Sequence, residues 1–144
     1  DLAELVRQLL GNGDHGDVWL ELLAPGPLWL APASGMLLQR SLVNLLENAR
    51  RYGRPPVAVT LQVQDGQALL TVRDHGPGIA ASQRETLLKP FYRGASDRGQ
   101  PGTGLGLPVV ERCVRRHGGE MRLLDAAPGL AVEMRFPLAT SDRP

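Results

Sequence analysis

Apolar side chains at positions 2, 5, 6, 9 and 10 recur at the spacing of one helix face, and Asp1 stands where a helix would be capped. A first helix is therefore expected over 1–10, broken by the glycine-rich GNGDHGD. VWLELL (18–23) and PLWLA (27–31) read as two strands joined across Ala24-Pro25-Gly26. A long helix is expected over 34–52. At about 100° per residue, Leu38, Leu42, Leu45, Leu46 and Ala49 form one stripe, the face that packs on a sheet. VAVTLQVQ (57–64) alternates strictly, Asp65-Gly66 is a two-residue hairpin signal, and QALLTVRD (67–74) returns. A short helix over 82–88 has Ser82 as cap with Glu85 three residues on. RGASDRGQPG (93–102) is a polar, glycine-rich loop, and a helix over 105–117 is closed by Gly118-Gly119. GEMRLLD (119–125) and LAVEMRF (130–136) pair across the 126–129 turn, the second with Leu130, Val132, Met134 and Phe136 on one face. The sum is an α+β fold: a two-layer α/β sandwich, its mixed, mostly antiparallel sheet covered by helices on one face.

The 144 residues are enough for one domain with its own core, and 42% apolar against 22% charged residues excludes global disorder. Sixteen basic and fifteen acidic side chains leave +1, so no bulk field recruits nucleic acid or an anionic membrane. No apolar run approaches the roughly 20 residues of a membrane span, and no signal-peptide pattern opens the chain. Asp1 in place of methionine suggests a fragment of something larger. Cys113, alone, excludes an internal disulfide and a multi-cysteine metal site, and fits a reducing compartment.

Three stretches carry candidate chemistry. In NLLENARRYG (44–53), Asn44, Asn48, Arg51 and Tyr52 cluster beside the apolar stripe. Buried amides are costly unless bonded, so these are either rim residues at a solvated edge or a set whose amide oxygens hold a metal or its waters. At the end of the second hairpin strand, Asp74-His75-Gly76-Pro77-Gly78-Ile79 delivers a carboxylate followed by two glycines. Backbone there can approach a flat ligand while the carboxylate accepts, for example from an adenine amino group. Gly102-Thr103-Gly104-Leu105-Gly106-Leu107 opens the last long helix, where free amides and the helix dipole favour an anion. It lacks the third glycine of a dinucleotide fingerprint, and no Walker-type cradle occurs.

With Lys89-Pro90-Phe91-Tyr92-Arg93, these stretches resemble, in order and near spacing, the N box, first glycine box, F box and second glycine box of bacterial sensor histidine kinases. The likeness covers about residues 1–138 and implies the catalytic, ATP-binding domain of that family, a Bergerat-type sandwich shared with gyrase, a heat-shock chaperone and mismatch-repair ATPases. It implies ATP and Mg²⁺ as cofactors. Asn48 matches the amide that ligates magnesium, with Asn44 supporting its waters or the phosphates, and one or two amides plus phosphate oxygens suit that ion. Arg51 matches the basic position that reaches the phosphates, and Tyr52 one that lines the adenine pocket. Asp74 matches the acceptor for the adenine amino group, with Gly76, Gly78 and Ile79 shaping the base site. Gly102, Thr103, Gly104, Leu105, Gly106 and Leu107 match the phosphate wrap, 94–102 the ATP lid, and Arg93 the cation that neutralises the γ-phosphate. Asn44, Arg51 and Arg93 thus make up the implied catalytic set. Leu88, where many members carry phenylalanine, and Pro108, where a small residue is commoner, depart from the pattern.

The ATP-hydrolysing relatives place a water-activating glutamate four residues before the magnesium asparagine. Asn44 occupies that position, and an amide is no base, so the resemblance implies γ-phosphoryl transfer to a protein histidine rather than hydrolysis. Glu47 lies about 100° from Asn48 around the helix and is a weak substitute. His15, His75 and His117 all lack the helical context of the family's acceptor, which places it on a dimerisation domain outside this chain. Residues 1–12 would be the linker helix after that domain and 13–140 the catalytic domain. Expected partners are that domain and a cytoplasmic response regulator, with no nucleic acid and no direct membrane contact. The fragment would be monomeric and cytoplasmic, the full-length protein a homodimer anchored in the inner membrane. The alternative is a nucleotide-holding regulatory module without transfer. Cys113 is expected in the core with Val109, Val110 and Val114, Trp19 and Trp29 in core or interface, and Arg112, Arg115 and Arg116 on a solvated face.

Overall fold

The computed structural model describes residues 1–11, 18–23, 26–30, 34–51, 53–80, 82 and 107–139. Helix α1 (Leu2–Gly11) starts on Asp1, whose carboxylate accepts from the Ala3 N–H at 3.0 Å and also from the Leu28 N–H at 3.0 Å. Strand β1 (Val18–Leu22) leads towards α2 (Gly35–Arg51), capped by Ser34, whose hydroxyl accepts from the Leu37 N–H at 3.3 Å. Strands β2 (Val57–Gln64) and β3 (Gln67–Arg73) form the expected hairpin, with Asp65 and Gly66 both at positive φ (54° and 74°), the conformation a tight hairpin turn requires. Helix α3 (Leu107–Arg116) ends at Gly118 (φ 76°), where the Gly119 N–H reaches the Val114 carbonyl at 2.9 Å. Strands β4 (Glu120–Asp125) and β5 (Leu130–Pro137) complete the regular structure of the described residues.

The five described strands run in the order β1-β2-β3-β5-β4, antiparallel except for the parallel β1–β2 pair. Register stacks Val59, Val72 and Val132 across the sheet, with Leu123 opposite Val132, so one face is continuously apolar. The helices cover that face: Val6, Leu42, Leu45, Val110 and Val114 join Val57, Leu61 and Phe136 in a single cluster. Phe136 is 1% exposed, and burying such a ring is worth about 2–3 kcal/mol. The stripe Leu38, Leu42, Leu45, Leu46 and Ala49 is buried throughout, as its spacing demands. Helix α1 shares the core through Leu2, Ala3 and Val6.

Two expectations need correction, and a third is narrowed. Residues 27–30 form no strand and do not pair with β1, which instead lies parallel to β2 with Val18 opposite Val57. The 27–30 segment is held end-on instead, with the Leu2 N–H donating to the Leu28 carbonyl and the Ala139 N–H to the Trp29 carbonyl, while Leu28 and Leu30 fill the core. Val109 is 66% exposed, because it sits about 100° off the Val110–Cys113–Val114 stripe. Trp19 is 65% exposed on the strand face turned away from the helices, so it is not a core residue. The short helix expected over 82–88, including Leu88, and the loop over 93–102 fall outside the described residues except for Ser82.

Candidate functional site

The carboxylate of Asp74 lies one residue past the end of β3 and is 7% exposed. Its Oδ1 accepts from the Gly76 N–H at 2.9 Å and from the Leu130 N–H at 3.3 Å. Both donors are backbone, so one oxygen is satisfied by groups that cannot rotate away. The Asp74 N–H donates to the Leu130 carbonyl at 3.0 Å, extending the β3–β5 ladder by one residue. Around the side chain the backbone closes tightly. A Cβ added to Gly53 would land on the Asp74 carboxyl carbon, and one added to Gly129 on the Asp74 carbonyl oxygen. Gly76 is buried against Gly53, and Gly78 sits at φ 74° with Gly129 behind it. Ile79, half-buried, packs against the core.

His75 is tied down beside this box. Its N–H donates to the Arg54 carbonyl at 2.9 Å and its ring Nδ1–H to the Pro56 carbonyl at 2.7 Å. The segment after α2 is thereby joined to the segment after β3, so the end of the asparagine helix and the carboxylate border one region. His117, the other described histidine, is 6% exposed and acts as a pin between helices. Its Nδ1–H donates to the Cys113 carbonyl at 2.7 Å, and its Nε2 accepts from the Ser34 N–H at 3.0 Å. With both ring nitrogens engaged and buried, it is unavailable as a nucleophile. His15 falls outside the described residues.

On α2, Asn48 Nδ2 donates to Asn44 Oδ1 at 3.1 Å, and both side chains are half-buried. The pair lies beside the apolar stripe, as helical spacing requires. Asn44 also lines an open groove of about 740 Å³ between α2 and α3, together with Arg40, Glu47, Arg112 and Arg116. Glu47 is therefore on the wall of the same groove as Asn44, three residues on along the helix. Arg51 is exposed at the end of α2, and Leu107 is buried at the start of α3. Tyr52, Arg93, Gly102, Thr103, Gly104, Leu105 and Gly106 fall outside the described residues. Pro108, in the first turn of α3, costs no hydrogen bond there.

Four residues around Asp74 escaped the sequence reading: Gly53, Arg73, Gly129 and Leu130. Gly53 stands in the quoted asparagine stretch and Gly129 in a turn, but nothing local marks either as a neighbour of position 74.

A mixed sheet covered on one face, with a glycine-enclosed carboxylate beside a helix bearing paired amides, defines a class of nucleotide-binding domain. Residues 33–140 match the family described as histidine kinase-, DNA gyrase B- and HSP90-like ATPase, and the chain belongs to it. Within that family its likeness is to sensor histidine kinases. It is 44% identical over 95 residues to the signal transduction histidine-protein kinase/phosphatase MprB of Mycobacterium avium (strain 104), covering 64% of this chain and 18% of that protein. The MprB of Mycobacterium bovis (strain BCG / Pasteur 1173P2) is 43% identical over 134 residues, covering 90% of this chain and 26% of that one. The chain thus spans about a quarter or less of the length of these relatives. The solved mycobacterial sensor histidine kinase MprB aligns at TM-score 0.74 and 31% identity over 96% of each chain. The histidine kinase domain of the E. coli osmosensor EnvZ aligns at 0.71 and 31%, covering 97% of this chain and 88% of that one. Among the described residues no helix is long and apolar enough to cross a membrane.

Proposed function

We propose that this chain is the ATP-binding catalytic domain of a sensor histidine kinase, passing the γ-phosphoryl of ATP to a histidine on a separate dimerisation domain. The observation that carries this reading is the Asp74 carboxylate. Burial and two fixed donors on Oδ1 leave it an acceptor of defined direction, which suits the exocyclic amino group of adenine. Gly76, Gly78 and Ile79 would shape the base site, with Tyr52 lining it.

The phosphates would run from there along α2 towards the entrance of α3, where the 102–107 segment would wrap them. Arg51 and Arg93 would neutralise them. Magnesium fits this donor set: the Asn44–Asn48 amide pair offers neutral oxygens, and that ion prefers oxygen and retains waters. Asn48 would hold it, Asn44 would support its waters or the phosphates, and its charge would offset that of the triphosphate. An imidazole nitrogen of the acceptor attacks the γ-phosphorus, a P–N bond forms, the bond to the β,γ-bridging oxygen breaks, and ADP leaves. No carboxylate stands at position 44 to activate water, which favours transfer over hydrolysis.

Residues 1–12 would follow the phosphoacceptor domain, and the phosphoryl group would pass on to a response regulator. The whole protein would be a membrane-anchored homodimer with this domain on the cytoplasmic side. Titration calorimetry with Mg-ATP should register binding, and Asp74→Asn should weaken it at least about tenfold, the worth of a hydrogen bond to a charged group. A separately supplied histidine-bearing helical domain should become labelled from γ-labelled ATP. Absence of any binding heat, with Asp74→Asn behaving as the parent, would refute the reading.

A further inference from the structure

Register pairing of β3 with β5 ends with Arg73 opposite Ala131, and the Asp74 N–H bond to the Leu130 carbonyl carries the backbone ladder one residue further without itself touching the carboxylate of Asp74. Besides the Gly76 N–H, what reaches it is the Leu130 N–H at the start of β5, paired with Asp125 of β4 directly after the 126–129 turn. The turn is held from two sides. Internally, the Ala127 N–H donates to Asp125 Oδ1 at 3.0 Å and the Ala126 N–H to the Gly129 carbonyl at 3.1 Å. Externally, Arg73 reaches over it, with Nη2 donating to the Ala126 carbonyl at 3.1 Å and to the Pro128 carbonyl at 3.4 Å. Gly129 (φ 100°) then lies flat against Asp74, with no room for a side chain.

We propose that Arg73 is a positioning residue for base recognition: by clamping the β4–β5 turn it keeps the Leu130 N–H on Asp74 Oδ1, and so keeps the other carboxylate oxygen aimed at the base amino group. The proposal rests on Asp74 being the adenine acceptor. A guanidinium suits the task, because one planar group can serve two carbonyls in fixed geometry. Removing it lets the turn shift, so that Oδ1 keeps the Gly76 N–H but loses the second fixed donor, and the acceptor direction loosens.

The test compares binding of Mg-ATP with that of the triphosphate of purine riboside, which lacks the 6-amino group. Arg73→Met keeps the apolar stem and removes the donors, and Arg73→Gln is measured beside it so that a folding failure in one leaves the other to decide. Each should bind ATP about fivefold more weakly, the effect of one modest hydrogen bond, with binding of the purine analogue unchanged and partial recovery in Arg73→Lys. A merely structural role would weaken both ligands equally, and that result, or no change in either, overturns the proposal. Asp74→Asn is the control. If it erases the preference for ATP over the analogue while the Arg73 variants keep it, the positioning role alone falls. If it too leaves the preference intact, the reading of Asp74 falls, and this inference with it.

Discussion

The two ends of the site are built on different principles. At the proposed base end stands a carboxylate whose surroundings are backbone: the Gly76 and Leu130 amides hold Oδ1, and Gly53 and Gly129 close on it without side chains. At the proposed phosphate end stand side chains on one helix, Asn48 hydrogen-bonded to Asn44, with Asn44 lining an open groove. Backbone donors cost no side-chain entropy to fix, so the first end is preorganised for one flat ligand. Side-chain amides turn about rotatable bonds, which would suit an end where, on the proposed reading, a phosphoryl group leaves and a second protein approaches.

The sharpest way to break this contrast is at Gly53. Gly53→Val would drive a side chain into the Asp74 carboxyl group and the Ala49 carbonyl. Nucleotide binding should fall by about a hundredfold or more, with about 1–3 kcal/mol of stability lost to overpacking, read by calorimetry and denaturant melts. Asn48→Ala should act differently. It should lower magnesium-dependent ATP affinity about tenfold while leaving metal-free ADP binding near the parent, since only the amide end is touched. Equal losses with and without metal would put Asn48 on the base. The smallest effect is expected from Glu47→Gln. Though Glu47 shares the groove wall with Asn44, phosphate release from ATP alone should change by less than about twofold, because it is not aligned as a base. A loss of most residual hydrolysis would make Glu47 a water activator.

Helix α2 shows why so much was legible in the sequence. A 3.6-residue period sorts its side chains by face, so Leu38, Leu42, Leu45, Leu46 and Ala49 had to go inward together and Asn44 and Asn48 had to share a neighbouring stripe. Strands β2 and β3 were equally legible, because Asp65-Gly66 sets both turn and register. PLWLA was misread for the same kind of reason. Apolar alternation says that Leu28 and Leu30 are buried, not which strand, if any, they pair with. The parallel β1–β2 pairing joins segments separated by the whole of α2, and no local signal encodes such a partner.

Asp74 carries the division into the site itself. Its place at a strand end, between a hairpin strand and two glycines, is written in a run of six residues, and periodicity and turn chemistry act over that range. That its carboxylate is held by Leu130, hemmed in by Gly53 and Gly129 and flanked by an arginine-clamped turn depends on contacts spanning 21 to 56 positions. Local propensities determined which elements form and which faces they bury. Long-range packing decided which oxygen of one carboxylate the backbone donors engage, because close packing acts between neighbours in space whatever their distance along the chain.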